Sequence, residues 1–389
     1  MTKGTRRIFL IVALVFIAGA IYYFESRKVD VSPVYLGDAT IEIDSNRNTQ
    51  ITNTMEKEDR SAIVEIKAKK YERAKKLTSI AGYINTDEAF NITDLIGKKV
   101  VLVDFWTYSC INCQRTLPYI TSWYEKYKDQ GLVVVGVHTP EFKFEQEYDN
   151  VVRATRQWSV TYPVVLDNDY GTWHAYANRY WPRKYLIDID GFIVYDHIGE
   201  GAYEETEKKI QELLEERKLV LGGDMNITKD ISRPEGAESV DATKPRSPEI
   251  YFGAARNNRL GNGTQGTIGE QLLKEPEGLK THILYLDGTW NFDSEFAENK
   301  SAEAKIIFRY QAEKVFLVAR SEKGVTATIL IDGEPVGNRA GQHVNKDGTV
   351  FFKEDQLYRL VEDPGGWGEH TLEIIIEEPG LEAFAFTFG

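Results

Sequence analysis

The chain has 389 residues, enough for two or three domains, and its 42% hydrophobic and 28% charged content excludes wholesale disorder and collagen-like repeats. Lys and Arg number 47 against 60 Asp and Glu, and the resulting charge of −13 repels phosphate backbones, so no nucleic-acid partner is expected. Two cysteines in the whole chain exclude a disulfide-stapled scaffold and any four-cysteine zinc site.

In chain order, Ile8 to Phe24 is an uncharged, almost wholly apolar run preceded by Lys3, Arg6 and Arg7. As a helix it reaches about 25 Å, close to the hydrocarbon thickness of a bilayer. Arg27 and Lys28 behind it can snorkel, and Tyr22 and Tyr23 suit the interface. The basic amino flank predicts a cytoplasmic N-terminus, with everything after residue 28 outside the cell membrane. A cleaved signal peptide ending at Ala18-Gly19-Ala20 is the rival reading, and the bulky residues that follow argue against cleavage. Residues 1–28 are therefore expected to be a cytoplasmic stub and a single transmembrane helix, and 29–80 a spacer followed by a helix over 56–77.

Residues 81–221 alternate strand-like and helix-like segments, the pattern of an α/β domain. Strands are predicted at 100–106 and 132–137 and on either side of a turn at Asp190-Gly191, with helices at 111–129, 150–158 and 203–217. A Gly-, Asp-, Ser- and Pro-rich stretch at 222–248 reads as a linker. From 249 to 389 short alternating segments without helical periodicity predict an all-β sandwich of jelly-roll type.

Cys110-Ile111-Asn112-Cys113 follows the 100–106 strand by a three-residue loop and opens a helix. Residues three apart in a first helical turn face one side, so the two sulfurs can close a disulfide with little backbone movement. The free amides at a helix start favour an anionic sulfur, which makes Cys110 the expected nucleophile and Cys113 the resolving thiol. Asp104 sits in the apolar strand between Val103 and Phe105, where burial raises a carboxyl pKa and suits it to exchange a proton with Cys113. A strand-end Asp facing solvent is the plainer alternative. Pro118 falls five residues after Cys113, and a cis bond at Trp181-Pro182 would bring a backbone edge beside the sulfurs.

Val103-Asp104-Phe105-Trp106, Cys110-x-x-Cys113, Pro118 and Trp181-Pro182 together resemble the thioredoxin fold family, in its extracytoplasmic TlpA/ResA branch. An inserted helix and strand at 138–170 matches that branch. Cys-Ile-Asn-Cys, Gly136-Val-His-Thr-Pro-Glu-Phe142 and the trailing β region are similar to the soluble part of DipZ-type proteins, where a thioredoxin-like domain precedes a carbohydrate-binding-module-like sandwich. The resemblance implies membrane-tethered thiol–disulfide exchange with exported proteins. It implies a redox-active Cys110–Cys113 disulfide with no other cofactor, substrate positioning by Trp181, Pro182 and Trp106, and a membrane electron donor of DsbD/CcdA-like type. Ile-Asn between the cysteines, Ser109 before them and Trp181 before the proline depart from ordinary thioredoxins. DipZ-type proteins also carry a multi-span membrane part, which is not expected here.

His138 and Glu141 lie where a strand end meets a loop and either tune the sulfurs or cap the next helix. The six histidines show no close metal-ligand spacing, so no metal is expected. Trp290 and Trp367 are candidates for an aromatic sugar platform, with core packing the commoner fate of Trp in such domains. Two rival functions follow, a glycan-binding or adhesion protein acting through the β domain and a thiol peroxidase. The residues before Cys110 lack the Pro-x-x-x-Thr-x-x-Cys setting of the latter.

Overall fold

A computed structural model of the protein describes residues 57–238, 240 and 243–389. The expected anchor at 8–24 lies outside the described residues, and among those described no helix is long and apolar enough to cross a membrane. The first helix, α1 (Lys57–Lys70), is shorter than predicted. Its continuation is captured by tertiary pairing, with Arg73 bridging Phe192 and the Ala74 N–H donating to the Gly191 carbonyl at 2.9 Å.

Six strands build the first sheet: β1 (Gly82–Ile84), β2 (Val100–Trp106), β3 (Leu132–His138), β4 (Val164–Leu166), β5 (Arg183–Ile187) and β6 (Ile193–Ile198). Their order is β1-β4-β3-β2-β5-β6. Strands β2, β3 and β4 are parallel, while β1, β5 and β6 pair antiparallel with their neighbours. Helices α2 (Ile111–Tyr127), α3 (Tyr148–Gln157), α4 (Gly171–Ala175) and α5 (Tyr203–Leu221) complete the layers. The unbroken apolar run of β2 is explained by burial on both faces. Val100, Leu102 and Trp106 pack in one core with Leu117, Ile120 and Trp123 of α2, while Val101, Val103 and Phe105 pack in another with Trp173 and Tyr176. By strand alternation Asp104 belongs to the α2 face, the face of Cys113.

Twelve strands form the C-terminal domain: β7 (Ile250–Tyr251), β8 (Gly269–Leu273), β9 (Leu284–Phe292), β10 (Ala297–Asn299), β11 (Ala304–Ala312), β12 (Lys314–Arg320), β13 (Val325–Ile331), β14 (Glu334–Pro335), β15 (Thr349–Phe352), β16 (Gln356–Glu362), β17 (Gly368–Ile376) and β18 (Glu382–Phe388). They make one large antiparallel sheet whose path changes partners along β9. Residues 284–287 of β9 pair with β11 and residues 290–292 with β10. The switch falls at Gly288, whose φ of 96° a side chain would resist. The sheet thereby packs against itself, bringing the Phe308 and Phe386 rings to 5.8 Å although β11 and β18 are not paired.

The described residues of segment 222–248 carry no helix or strand, yet they are tied down. Ile227 is buried, and Ser232 donates from its backbone N (2.6 Å) and Oγ (2.7 Å) to the Glu207 carboxylate. The two domains also share core. Phe384 of β18 meets Phe142 at 5.1 Å and Phe144 at 4.8 Å, and Phe316, Val318 and Leu357 join the cluster built around Trp106 and Leu117.

Candidate active site

Cys110 is the N-cap of α2, with extended backbone (φ −79°, ψ 117°), and its Sγ accepts the Cys113 N–H at 3.4 Å. The helix runs on from there because Cys113, Leu117, Ile120, Trp123 and Tyr127 recur on one apolar face, and it passes through Pro118 without ending. Both cysteines carry free thiols, Cys110 partly exposed and Cys113 at 1% exposure. Burial, then the neighbouring Cys110, then the Asp104 charge push the Cys113 thiol well above its ordinary value.

Asp104 is 1% exposed and its Oδ1 has no hydrogen-bond partner among the described residues. Burial raises its carboxyl to about 6, against the opposing pull of the Lys184 ammonium. Lys184 is fully buried, stands opposite Asp104 in the β2–β5 register, and donates from Nζ to the Gly199 carbonyl at 2.9 Å. On the other side Asp104 faces Gly136 of β3. A Cβ there would meet Trp106 Nε1 at 3.0 Å and the Tyr162 ring at 3.2 Å, so glycine leaves room for the two rings that enclose the carboxylate. Burial and then the Asp104 and Cys113 charges hold the Tyr162 phenol neutral.

The Trp181-Pro182 bond is cis, and Trp181 lines the same cleft as Cys110. Its indole is anchored by a 3.0 Å hydrogen bond from Nε1 to the Thr139 carbonyl and by the Trp173 ring at 4.3 Å. Pro182 is buried and its carbonyl already accepts from the Gly199 N–H, which leaves the Trp181 main chain as the edge beside the sulfur.

Several sequence expectations need correction. Trp106 is fully buried beneath the site, in T-shaped contact with His138 at 5.1 Å, so it supports the strand end and cannot touch a substrate. His138 is likewise fully buried between Trp106 and Tyr108, and burial lowers its pKa to about 3, so it brings no changing charge to the sulfurs near neutral pH. Glu141 does line the cleft, but its carboxylate is taken by Arg256 at 2.8 Å and the Tyr251 hydroxyl at 3.0 Å, both from the C-terminal domain. The acid that organises this loop is Glu145, which the sequence reading missed. Fully buried, it accepts the Ser109 N–H (3.2 Å) and Oγ–H (2.7 Å) and the N–H groups of Glu141 and Phe142, fixing the turn that presents Cys110. Lys184 was missed as well. Neither stands out along the chain as Asp104 does, because Glu145 lies among Lys143, Gln146 and Glu147 and Lys184 directly follows Arg183.

Trp290 is fully buried in the C-terminal core, with Nε1 bonded to the Asp287 carbonyl at 2.9 Å, and offers no face to a sugar. Trp367 is 36% exposed, and its indole N–H is spent on the Pro245 carbonyl at 2.5 Å. Trp290→Ala should therefore cost about 3–5 kcal/mol of stability and Trp367→Ala about 1 kcal/mol in urea denaturation. A Trp290 variant that keeps full stability but loses affinity for a glycan would restore the platform reading.

Among the described residues one acidic cluster has ligand atoms within 4.8 Å of one another, that of Asp188, Asp190 and Glu216. The Lys67 ammonium fills it, 2.7 Å from Asp188 and 3.0 Å from Asp190, and clamps α1 to the β5–β6 turn.

A dithiol at the first turn of a helix, on a sheet of this order and opposite a cis-proline, defines a thioredoxin-like α/β domain. Residues 97–193 match the family model described as thioredoxin-like, and residues 247–389 the one described as thioredoxin like C-terminal domain. The chain is 35% identical over 318 residues to protein DipZ of Mycobacterium tuberculosis, a match covering 80% of this chain and 42% of that protein. The chain thus spans under half the length of its DipZ relatives. It is 30% identical to thiol-disulfide oxidoreductase YkuV of Bacillus subtilis, covering 31% of this chain and 82% of YkuV. Identity is also 30% to thiol-disulfide oxidoreductase ResA of Bacillus cereus, covering 32% of this chain and 74% of ResA. The chain belongs to the thioredoxin-like thiol–disulfide oxidoreductases, the family of ResA and DipZ.

Proposed function

We propose that this protein is a membrane-anchored, outward-facing reductant of disulfides in exported proteins. The observation that carries the reading is the pairing of a reachable sulfur with a buried one backed by an acid: Cys110 opens on the cleft while Cys113 lies behind it on the Asp104 face of β2. The Cys110 thiolate attacks one sulfur of a client disulfide, forming a mixed disulfide and releasing the first client thiolate. Cys113 then gives its proton to Asp104 and attacks Cys110 Sγ. The client leaves with its second thiol, which takes up a proton, and two electrons have passed from the pair to the client. With a carboxyl near 6, Asp104 is ionised at neutral pH and able to take that proton. The free main chain of Trp181 is the edge on which an extended client segment lies.

The Cys110–Cys113 pair is the whole redox cofactor in this reading, and no metal takes part. A membrane donor of DsbD/CcdA-like type restores the dithiol. Anchoring rests on the Ile8–Phe24 run and its basic amino flank.

The full-length protein in detergent is expected to accelerate reduction of insulin disulfides by dithiothreitol, with Cys110→Ser at background. In intact reduced cells a membrane-impermeant maleimide is expected to label Cys110. Insulin reduction unaffected by Cys110→Ser removes the chemistry, and labelling only after lysis removes the outward orientation.

A further inference from the structure

Cys110 opens into a cleft of about 650 Å³ that only one wall of the thioredoxin-like domain bounds. The opposite wall is the end of segment 222–248 together with β7 and the last residues of β18. Four cations line it, Arg179, Lys244, Arg246 and Arg256, against two acids, Glu141 and Glu249. Glu141 is already paired with a cation, while Glu249 shares the single Tyr251 hydroxyl proton with Glu141, so the lining keeps two cations in excess. Glu141 holds Arg256, and the Tyr251 hydroxyl lies 3.0 Å from Glu141 and 2.9 Å from Glu249. The side chains of Arg179, Lys244 and Arg246 have no partner among the described residues, in a chain whose charge is −13.

Two of these cations sit on a segment that is pinned in place. Trp367 Nε1 holds the Pro245 carbonyl between them. Ser247, next in the chain, donates its N–H to the Gln311 carbonyl at 2.9 Å and accepts the Gln311 N–H on Oγ at 2.9 Å. Lys244 and Arg246 are therefore presented by fixed backbone over the sulfur, facing Arg179 from the other domain. An unpaired positive rim around a nucleophile does no structural work, and its energetic use is to attract and orient negative charge on what approaches.

We infer that this cationic rim selects client disulfides flanked by acidic residues, so that the C-terminal domain acts as half of the substrate site. The inference rests on the exchange reading above and adds the substrate class to it. Carboxylates beside the client cystine engage Arg179, Lys244 and Arg246 and set the disulfide over Cys110. An engaged client also neutralises charge that is otherwise solvated at the cleft mouth.

The test compares two peptide disulfides that differ only in Glu or Lys flanking the cystine, with neutral hydroxyethyl disulfide as a third substrate. At low ionic strength the full-length protein should favour the acidic peptide by about tenfold or more in kcat/KM, and the preference should shrink in 0.5 M salt. The triple variant Arg179→Gln/Lys244→Gln/Arg246→Gln should discriminate between the two peptides less than about twofold, with hydroxyethyl disulfide setting the scale for any general change in sulfur reactivity. Arg179→Glu, a change at an exposed position, should move the preference toward the basic peptide. Equal rates on both peptides in the wild type, or an undiminished preference in the triple variant, overturn the inference while leaving the exchange reading intact. No reaction with any of the three disulfides overturns both.

Discussion

Cys113→Ser is expected to leave the protein able to attack a client and unable to release it. The hydrogen bond that reaches Cys110 Sγ comes from the backbone N–H of residue 113, so the substitution does not remove it. Single-turnover attack should therefore stay within about threefold of wild type, while multiple turnover falls by on the order of a thousandfold because no second thiol remains to break the mixed disulfide. The adduct should persist in non-reducing gels and dissolve with dithiothreitol. Cys110→Ser should lose turnover equally and form no adduct, since Cys113 is 1% exposed and cannot meet a polypeptide. The double variant should be no slower than either single one, as for residues that act as a unit. Adducts forming through Cys113 in the Cys110 variant would reverse the assignment of roles.

Asp104→Asn should make the protein more stable and less active at once. Raising a carboxyl from 3.8 to about 6 means that folding disfavours its charged form, a cost of about 3 kcal/mol above pH 6. Removing the charge relieves that cost but leaves the buried Lys184 ammonium without its counter-charge, so a net gain of about 1–3 kcal/mol is expected in denaturant titrations at pH 7.5. The sign has a definite pH window. Below 3.8 folded and unfolded chains are both protonated and the variant gains nothing. Between 3.8 and 6 the gain grows, and above 6 it is complete. Resolution by Cys113 should slow in the variant, most at neutral pH and above. In the wild type that step should fall as pH drops through about 6, an inflection absent from the variant. A variant destabilised at pH 7.5, or one that keeps the inflection, would contradict the proton-relay role.

The two domains differed in how much of them could be read along the chain. In the α/β domain the strand at 100–106 and the helix after Cys110 end within two residues of expectation, because burial on both faces of the strand and on one face of the helix leaves a continuous apolar run and a helical stripe. The short edge strand β1 was invisible, since three residues carry no periodicity and their pairing with β4 is long-range. In the C-terminal domain β13 and β18 were legible from alternation, whereas β8 was not, being an edge strand with Leu272 turned to solvent. Trp290 and Trp367 ended in opposite environments because Trp290 lies on β9 facing the core while Trp367 lies in the turn before β17, a placement residue type does not determine.

The amino-acid order alone determined the dithiol, its place at a helix start, and Asp104 as an acid in an apolar strand, since each is a matter of local spacing and of the cost of burying charge. Only the tertiary structure decided what surrounds them. Register across β2 and β5 set Lys184 against Asp104, a loop 36 residues on supplied Glu145 beneath Ser109, and packing against the C-terminal domain roofed Cys110 with Lys244 and Arg246. Such neighbours are chosen by which surfaces exclude water together, a property of the folded chain that no segment carries by itself.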